Sequence, residues 1–174
     1  MKIKFKQDKE TILKLLESSN LKRKVRILEK LNGVNEKDSI KILLKVLEDA
    51  SWTLREKAAY KLAKYGNRVV PRLKRLLTRG YWFTRAAACL SLGEIGNIET
   101  ADSLIELLVN DENPTVRKEA STALTKLATQ EPFEFSDMIR ELALDEKVLA
   151  SILKIIADTD PGVHKAIKEE LENV

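Results

Sequence analysis

Few side chains in this 174-residue sequence are placed to do covalent or metal chemistry. There is one histidine, His164, and one cysteine, Cys89, and they are far apart in the chain. A zinc site or a nucleophile–base pair needs several such groups close together, and no glycine-rich phosphate loop is present. Cys89 falls on a small position of a repeat, which predicts an inert core thiol. The sequence therefore favours a protein that is not an enzyme and has no metal or cofactor.

A basic segment is the strongest chemical feature of the sequence. No acidic residue occurs between Glu56 and Glu94, where nine basic residues occur. Residues 1–87 hold 23 Lys/Arg and 9 Asp/Glu (+14), whereas residues 88–174 hold 8 and 18 (−10), which leaves a net charge of +4. Halves of opposite sign predict a basic surface for an anionic partner, or head-to-tail association of two copies.

An internal repeat must position these residues. YWFTRAAACLSLGEIGN at residues 81–97 matches SWTLREKAAYKLAKYGN at residues 51–67 after a shift of 30 positions. PTVRKEASTALTKLAT at residues 114–129 and LKRKVRILEKLNG at residues 21–33 continue the register. Trp52 thus aligns with Trp82, Arg55 aligns with Arg85, and Lys24 aligns with Arg55.

The repeats have the spacing of helix pairs. Each copy follows a shorter segment, such as SIKILLKVLED, whose apolar residues recur at helical intervals. Asn113-Pro114 and Asp160-Pro161 are typical of a helix N-cap followed by proline in the first turn. A period near 31 residues predicts an all-α solenoid in which each hairpin buries its apolar face against the next. One domain is expected over 1–174, with units at about 8–34, 38–66, 68–96, 99–129 and a degenerate 133–158, and a terminal helix at 161–172.

These segments resemble the HEAT repeat, in which an Asp is followed six residues later by Arg and then by Ala and Leu. DENPTVRKEASTALTKL and TRAAACLSLGEIGN are more narrowly similar to the short HEAT-like repeats of the phycobilisome-lyase type. The resemblance implies a right-handed α-solenoid of about five hairpins, with a ladder of Asp–Arg hydrogen bonds along the turns. Asp49/Arg55 and Asp111/Arg117 fit that ladder, whereas Arg79 replaces the Asp of the third unit. By analogy alone, it also implies an accessory factor of a cofactor-bearing enzyme.

The repeat register separates core positions from outward ones. Positions 53, 56, 57, 60 and 64, with their equivalents, are expected to face outward, which in the resembling family is the concave wall. We therefore predict a non-catalytic scaffold or adaptor that binds another protein, an acidic one being a candidate, through the concave surface of its central repeats. The predicted binding residues are Lys57, Tyr60, Lys64, Tyr81, Trp82, Phe83, Ala86, Ala87 and Leu90. In the alternative interpretation, the small residues of this set allow close helix packing and Leu90 lies beneath a neighbour.

Two further features leave alternatives open. Trp52 and Trp82 either pack on the preceding helix or form, with Tyr81, an aromatic ridge along one edge. The basic run supports a nucleic-acid-binding module as the alternative function, because cations interleaved with aromatic rings suit phosphates and bases. Its predicted anion-binding residues are Lys57, Lys61, Lys64, Arg68, Arg72, Arg75 and Arg79.

The sequence also predicts where the protein is found. A single cysteine suits a reducing compartment. The sequence has no apolar run of signal-peptide or membrane-spanning length. A cytoplasmic protein that does not enter a membrane is expected, and its oligomeric state is not predicted.

Overall fold

The computed structural model describes residues 8–173, and these fold into α-helices without a β-strand. Three 3₁₀ turns, at Leu31–Gly33, Gly66–Arg68 and Ile98–Thr100, lie between some of the helices. The helices of this part of the chain are α1 (Lys9–Ser18), α2 (Leu21–Glu29), α3 (Glu36–Val46), α4 (Trp52–Ala63), α5 (Val70–Arg79), α6 (Trp82–Ile95), α7 (Ala101–Asn110), α8 (Pro114–Gln130), α9 (Pro132–Glu141), α10 (Glu146–Thr159) and α11 (Pro161–Glu172).

Short polar side chains begin most of these helices. Asn113 accepts a hydrogen bond from the Thr115 backbone N–H at the start of α8, and Asp160 accepts two at the start of α11. Each satisfies amide groups that have no partner inside the helix, and proline follows in the first turn, where its missing N–H costs nothing. The two helix starts predicted from Asn-Pro and Asp-Pro are confirmed.

The helices form the predicted all-α solenoid of helical hairpins. Helices α1–α2, α3–α4, α5–α6 and α7–α8 pair as hairpins. The second helices, α2, α4, α6, α8 and α10, each pack against the next and so make one continuous layer. Leucines such as Leu54, Leu62, Leu92 and Leu124 are buried between the hairpins. At the C-terminal end, α11 packs against α8, α9 and α10 and completes the stack.

A ladder of ion pairs links successive hairpins at the turns. The Lys24 ammonium lies 2.6 Å from the Asp49 carboxylate, and the Arg85 guanidinium donates to both oxygens of Asp111 at 2.6 and 2.8 Å. Each rung therefore joins a cation of one unit to the Asp of the following unit. Arg117 instead donates to the backbone carbonyl of Asp111 in its own turn.

The register of this ladder differs from the one implied by the family resemblance. The expected partners were Asp49 with Arg55 and Asp111 with Arg117, within one turn. In the structure, Arg55 reaches only the carbonyl groups of Asp49 and Ala50, because the Asp49 carboxylate is taken by the preceding unit. Because each Asp pairs with the cation of the preceding unit, the replacement of Asp by Arg79 in the third unit leaves Arg55 of the second unit without a carboxylate.

The Arg85–Asp111 rung predicts a pH-dependent contribution to stability. The Asp111 carboxylate is 3% exposed, and the hydrogen bonds from Arg85 hold its pKa below the ordinary value of 3.8. Because the folded pKa lies below the unfolded one, the stabilisation is present above pH 3.8 and is lost as the pH falls through the folded value. Asp111→Asn keeps the turn but removes the charge, so the free energy of unfolding should fall by about 2 kcal/mol at pH 7.

Chemical denaturation at several pH values measures this effect. The stability difference between the wild-type protein and Asp111→Asn should close as the pH drops below the ordinary range of an aspartate. Asp102→Asn is the matched control, because Asp102 is 53% exposed in its pair with Lys74 and should contribute less than about 1 kcal/mol. Equal losses in the two variants would show that the rung has no special role.

Candidate functional site

Three residues that were predicted to bind a partner are buried. Ala86 and Ala87 have no exposed surface, and Leu90 is 8% exposed, so the prediction of an apolar surface patch on α6 is wrong at these positions. The reason is close packing of α6 between α4, α5 and α8. A Cβ atom added to Gly93 would lie only 2.8 Å from the Cα atom of Ala123 on α8. The alternative interpretation, small residues that let the helices approach, describes this helix.

The neighbouring helix α4 does present the predicted outward residues. Lys57, Tyr60 and Lys64 are exposed, Tyr60 by 44%, and none of them forms an ion pair within residues 8–173. At the equivalent positions of α6, Ala87 and Leu90 are buried and Glu94 is half-buried in an ion pair with Lys126, so this exposed face does not continue onto α6.

A cluster of aromatic rings occupies the edge where α4 and α6 begin. We call Trp52, Tyr81, Trp82 and Phe83 the aromatic edge. The Tyr81 ring is 71% exposed, Trp82 is 43% exposed and Trp52 is 36% exposed. Phe83 is half-buried and holds the cluster together, with its ring centroid 5.3 Å from that of Tyr81 and 5.6 Å from that of Trp82. The two indoles are thus more than half buried and expose the remainder of their surface along this edge.

A groove runs beside the aromatic edge. Its volume is about 340 Å³, and its walls come from α1, from the end of α3 and from Tyr81. Lys45 and Glu48, which pair at 2.6 Å, line it together with the Lys24–Asp49 rung. The groove thus places an exposed aromatic ring next to charged groups of both signs.

Arg55 lies at the centre of the aromatic edge and was not among the predicted site residues. Its guanidinium carbon is 5.5 Å from the Trp52 ring centroid and 4.9 Å from that of Phe83, within the range of cation–π attraction. The residue is 5% exposed, and its Nε–H has no hydrogen-bond partner in the part of the chain that the structure describes. Burial lowers the pKa of the guanidinium, an effect that the nearby Asp49 carboxylate opposes. One feature of the sequence could have indicated the special position of Arg55: Arg79 stands where the neighbouring units have an Asp.

The predicted anion-binding residues are divided between two helices. Lys57, Lys61 and Lys64 lie on α4 or its C-terminal cap, whereas Arg72, Arg75 and Arg79 lie on α5. Arg68, just before α5, pairs with Glu36 at 2.6 Å.

The three arginines of α5 share one side of that helix. Their spacing places them away from Leu73 and Leu77, which are buried in the core. Arg75 and Arg79 are exposed and Arg72 is half-buried, and within residues 8–173 none of the three forms an ion pair. This side of α5 is therefore a cationic stripe without internal counter-charges.

The residues with potential for covalent chemistry are isolated. Cys89 is completely buried, and burial raises the pKa of its thiol, so the reactive thiolate is disfavoured. His164 lies partly exposed on α11. Over residues 8–173, histidine, cysteine and acidic side chains do not form a group of three that could hold a metal ion. Among the helices described, none is long and apolar enough to cross a membrane.

The sequence matches the family described as HEAT repeats over residues 10–82 and 71–172. The chain belongs to this HEAT-repeat family. The predicted family is thus confirmed over nearly the whole chain, and the repeat solenoid is a fold typical of protein-binding scaffolds. No curated protein matches the sequence.

Two solved structures are similar to this HEAT-repeat chain. One is the complex of CpcE and CpcF of phycocyanin lyase from Nostoc sp. PCC7120, with 23% identity, 91% of this chain and 68% of that chain covered, and a TM-score of 0.49. The other is a designed armadillo repeat protein in complex with the peptide (KR)4, with 18% identity, 94% of this chain and 88% of that chain covered, and a TM-score of 0.41.

Substitutions on α6 and α4 should separate the buried position from the exposed one. Leu90→Glu puts a charge into the contact between helices and is expected to destabilise the protein by more than about 3 kcal/mol or to prevent folding. Leu90→Met keeps the volume and should cost less than about 1.5 kcal/mol. Tyr60→Ala, at a 44% exposed position, should cost less than about 1 kcal/mol.

Urea unfolding followed by circular dichroism measures all three variants. If Leu90→Glu folds with wild-type stability, Leu90 is accessible and the buried assignment of this helix face is wrong.

Proposed function

We propose that this HEAT-repeat protein is a non-catalytic scaffold that binds another protein through its central repeats. The observation that carries the proposal is the exposed aromatic edge, where Trp52, Tyr81 and Trp82 stand together on one side of the stack. Trp and Tyr are enriched among the residues that contribute most to protein–protein binding.

The aromatic edge has the properties of a contact surface. The exposed parts of these rings are apolar area that a partner can cover, and Tyr81 and Trp82 are already held by ring contacts with Phe83, stacked and edge-on respectively. Along α4, the exposed Lys57 and Tyr60 follow Trp52 within about two turns and offer polar contacts beside the edge, whereas Lys64 lies at the other end of the helix. The apolar surface predicted on α6 no longer contributes, so the proposed interface moves from that helix face toward the turn where α4 and α6 begin.

The charge of this region indicates the kind of protein that would bind. The segment between Glu56 and Glu94 has no acidic residue, and the cations Lys57, Lys64 and Arg79 are free of ion pairs within the described chain. An acidic partner would be attracted over about a Debye length, near 8–10 Å at physiological salt.

A pull-down from nuclease-treated extract of the source cell tests the aromatic edge. The double variant Tyr81→Ser with Trp82→Ala should recover at least about tenfold less of the proteins that the wild-type chain retains, because it removes two exposed rings. Serine is a good N-cap residue, so replacing Tyr81 at the N-cap of α6 should not weaken that helix.

Phe133→Ser is the matched control, because Phe133 is an exposed aromatic residue (59%) on α9, far along the chain from this edge. It should recover the same proteins as the wild-type chain, and both variants should keep their helical circular dichroism. Undiminished recovery by the double variant would contradict the proposal, and equal loss in both variants would indicate nonspecific adhesion of exposed rings.

Nucleic-acid binding is the second candidate function, and the cationic stripe of α5 favours it. Arg72, Arg75 and Arg79 recur along one side of the helix without internal counter-charges, so they are available to phosphates.

A salt titration of binding to generic duplex and single-stranded DNA tests this candidate. Arg72→Gln with Arg75→Gln should weaken binding and reduce the slope of log affinity against log salt by about two. Lys165→Gln with Lys168→Gln is the control, since these exposed lysines lie on α11 beside glutamates. Absence of binding at low salt would eliminate the nucleic-acid candidate.

A further inference from the structure

One rung of the inter-unit ladder is missing in the middle of the stack. Lys24 meets Asp49, and Arg85 meets Asp111. In the repeat register, Arg55 corresponds to Arg85, and the position that should supply its carboxylate is occupied by Arg79. We call Arg55 and Arg79 with their surroundings the ladder gap.

Arg55 is held in the same way as Arg85 but without its acid. The Nη1 group of Arg85 donates to the Gly80 carbonyl in its own turn, which leaves Nε and Nη2 for Asp111. Arg55 likewise uses Nη1 for the carbonyl groups of its own turn. Among residues 8–173, its buried Nε–H has no hydrogen-bond partner, and its Nη2 group finds none either.

Aromatic rings hold the Arg55 guanidinium but do not satisfy its donors. Trp52 and Phe83 lie 5.5 and 4.9 Å from its central carbon, so they balance part of the charge by cation–π attraction. A guanidinium can contact rings while the N–H groups in its plane remain available to a planar carboxylate. An unpaired buried donor costs stability, so a ligand that supplies the acceptor gains by satisfying it.

The local electrostatics favour an anion. Arg79 is exposed and forms no ion pair within residues 8–173. The nearest carboxylate, that of Asp49, is already engaged by the Lys24 ammonium and by the backbone N–H of Ser51. The Asp49 carboxylate therefore attracts Arg55 without accepting a hydrogen bond from it, and the position of the third unit that should supply the acid holds a second cation, Arg79.

We propose that the ladder gap is a receptor for a carboxylate of an acidic segment of the partner protein, which takes the place of the missing Asp. This inference rests on the proposed scaffold function and names the chemistry of the segment that the scaffold recognises. The bound carboxylate accepts hydrogen bonds from Nε and Nη2 of Arg55 and pairs with Arg79. The half-buried Phe83 ring shifts to admit it, and the exposed Tyr81 ring packs on the neighbouring residues of the segment.

An Asp or Glu side chain fits the site better than other anions do. The same position in the next rung is filled by the side chain of Asp111, so a carboxylate that reaches Arg55 has the direction this repeat position uses. The charge difference between the two halves of the chain supplies the long-range attraction for an acidic segment.

Binding of a fluorescent hexa-aspartate peptide, blocked at both ends, tests the proposal by fluorescence anisotropy. Arg79→Asp restores the acid that the other rungs have, so it should occupy Arg55 and weaken peptide binding at least about tenfold. The melting temperature of this variant should rise, because the buried donor gains a partner. Arg75→Asp is the matched control, with the same change of charge one turn earlier on the exposed side of α5. It should weaken binding less than about threefold, as screened surface charges do.

Each outcome decides between the site and its alternatives. If Arg79→Asp and Arg75→Asp weaken peptide binding equally, the effect is general electrostatic attraction and the proposal is wrong. A wild-type chain that does not bind the peptide would also overturn it. If an oligothymidylate binds with the same dependence on Arg79, the site is a phosphate site. If Arg79→Asp converts a dimer to a monomer in sedimentation, the occupant is a second copy of this chain. Either result overturns the inference.

The two proposals can fail separately. If the pull-down loses its proteins with Tyr81→Ser and Trp82→Ala but not with Arg79→Asp, the scaffold function stands and the carboxylate receptor does not. If none of the three changes affects recovery, the aromatic edge is not the interface and the scaffold proposal fails with it.

Discussion

The distance between α6 and its neighbours is the constraint on which the rest of the structure depends. A solenoid buries its apolar surface only between adjacent hairpins, so the helices of the second layer must approach closely. In α6 this is possible because its contact residues are small: Gly93 touches Ala123 of α8, and Ser91 reaches the Ala59 carbonyl of α4. The same approach covers the helix face that would otherwise have been a binding surface. Close packing therefore excludes the α6 face as an interface and leaves the aromatic edge as the remaining candidate.

At the aromatic edge the side chains are packed as in the rest of the stack, but one hydrogen-bonding partner is missing. At the Lys24–Asp49 and Arg85–Asp111 junctions a cation of one unit meets an acid of the next, and the contact is satisfied on both sides. At Arg55 the packing is retained, with Trp52 and Phe83 around the guanidinium, but the acid is absent. Natural proteins keep buried polar groups paired with few exceptions, and departures from local rules concentrate at functional sites. The local departure from the repeat pattern and the exposed rings coincide at this edge.

Local patterns in the sequence were enough to predict the fold class, the period and several helix starts. Helical spacing of apolar residues and caps such as Asn113 and Asp160 act within one or two turns, so they can be read from neighbouring residues. The burial of Ala86 and Leu90 could not be predicted in this way, because it depends on how closely α6 approaches helices about 30 positions away. The role of Arg55 was not predicted from the sequence for a related reason. Each rung joins residues 25 or 26 positions apart, and the sequence of one unit does not say which acid its arginine will meet.

The direction of the ladder has a consequence for how such a chain can change by duplication and exchange of its repeats. The unpaired arginine belongs to the second unit, whereas the substitution that leaves it unpaired belongs to the third. If either unit alone were copied into another array, only one of the two residues, Arg55 or Arg79, would be transferred. If the unit that follows Arg55 carried an Asp at the position of Arg79, Arg55 would again have a carboxylate partner. The inherited element is therefore the junction between two repeats. New specificity in a stack of this kind can arise from a new order of old units, without a new residue in any of them.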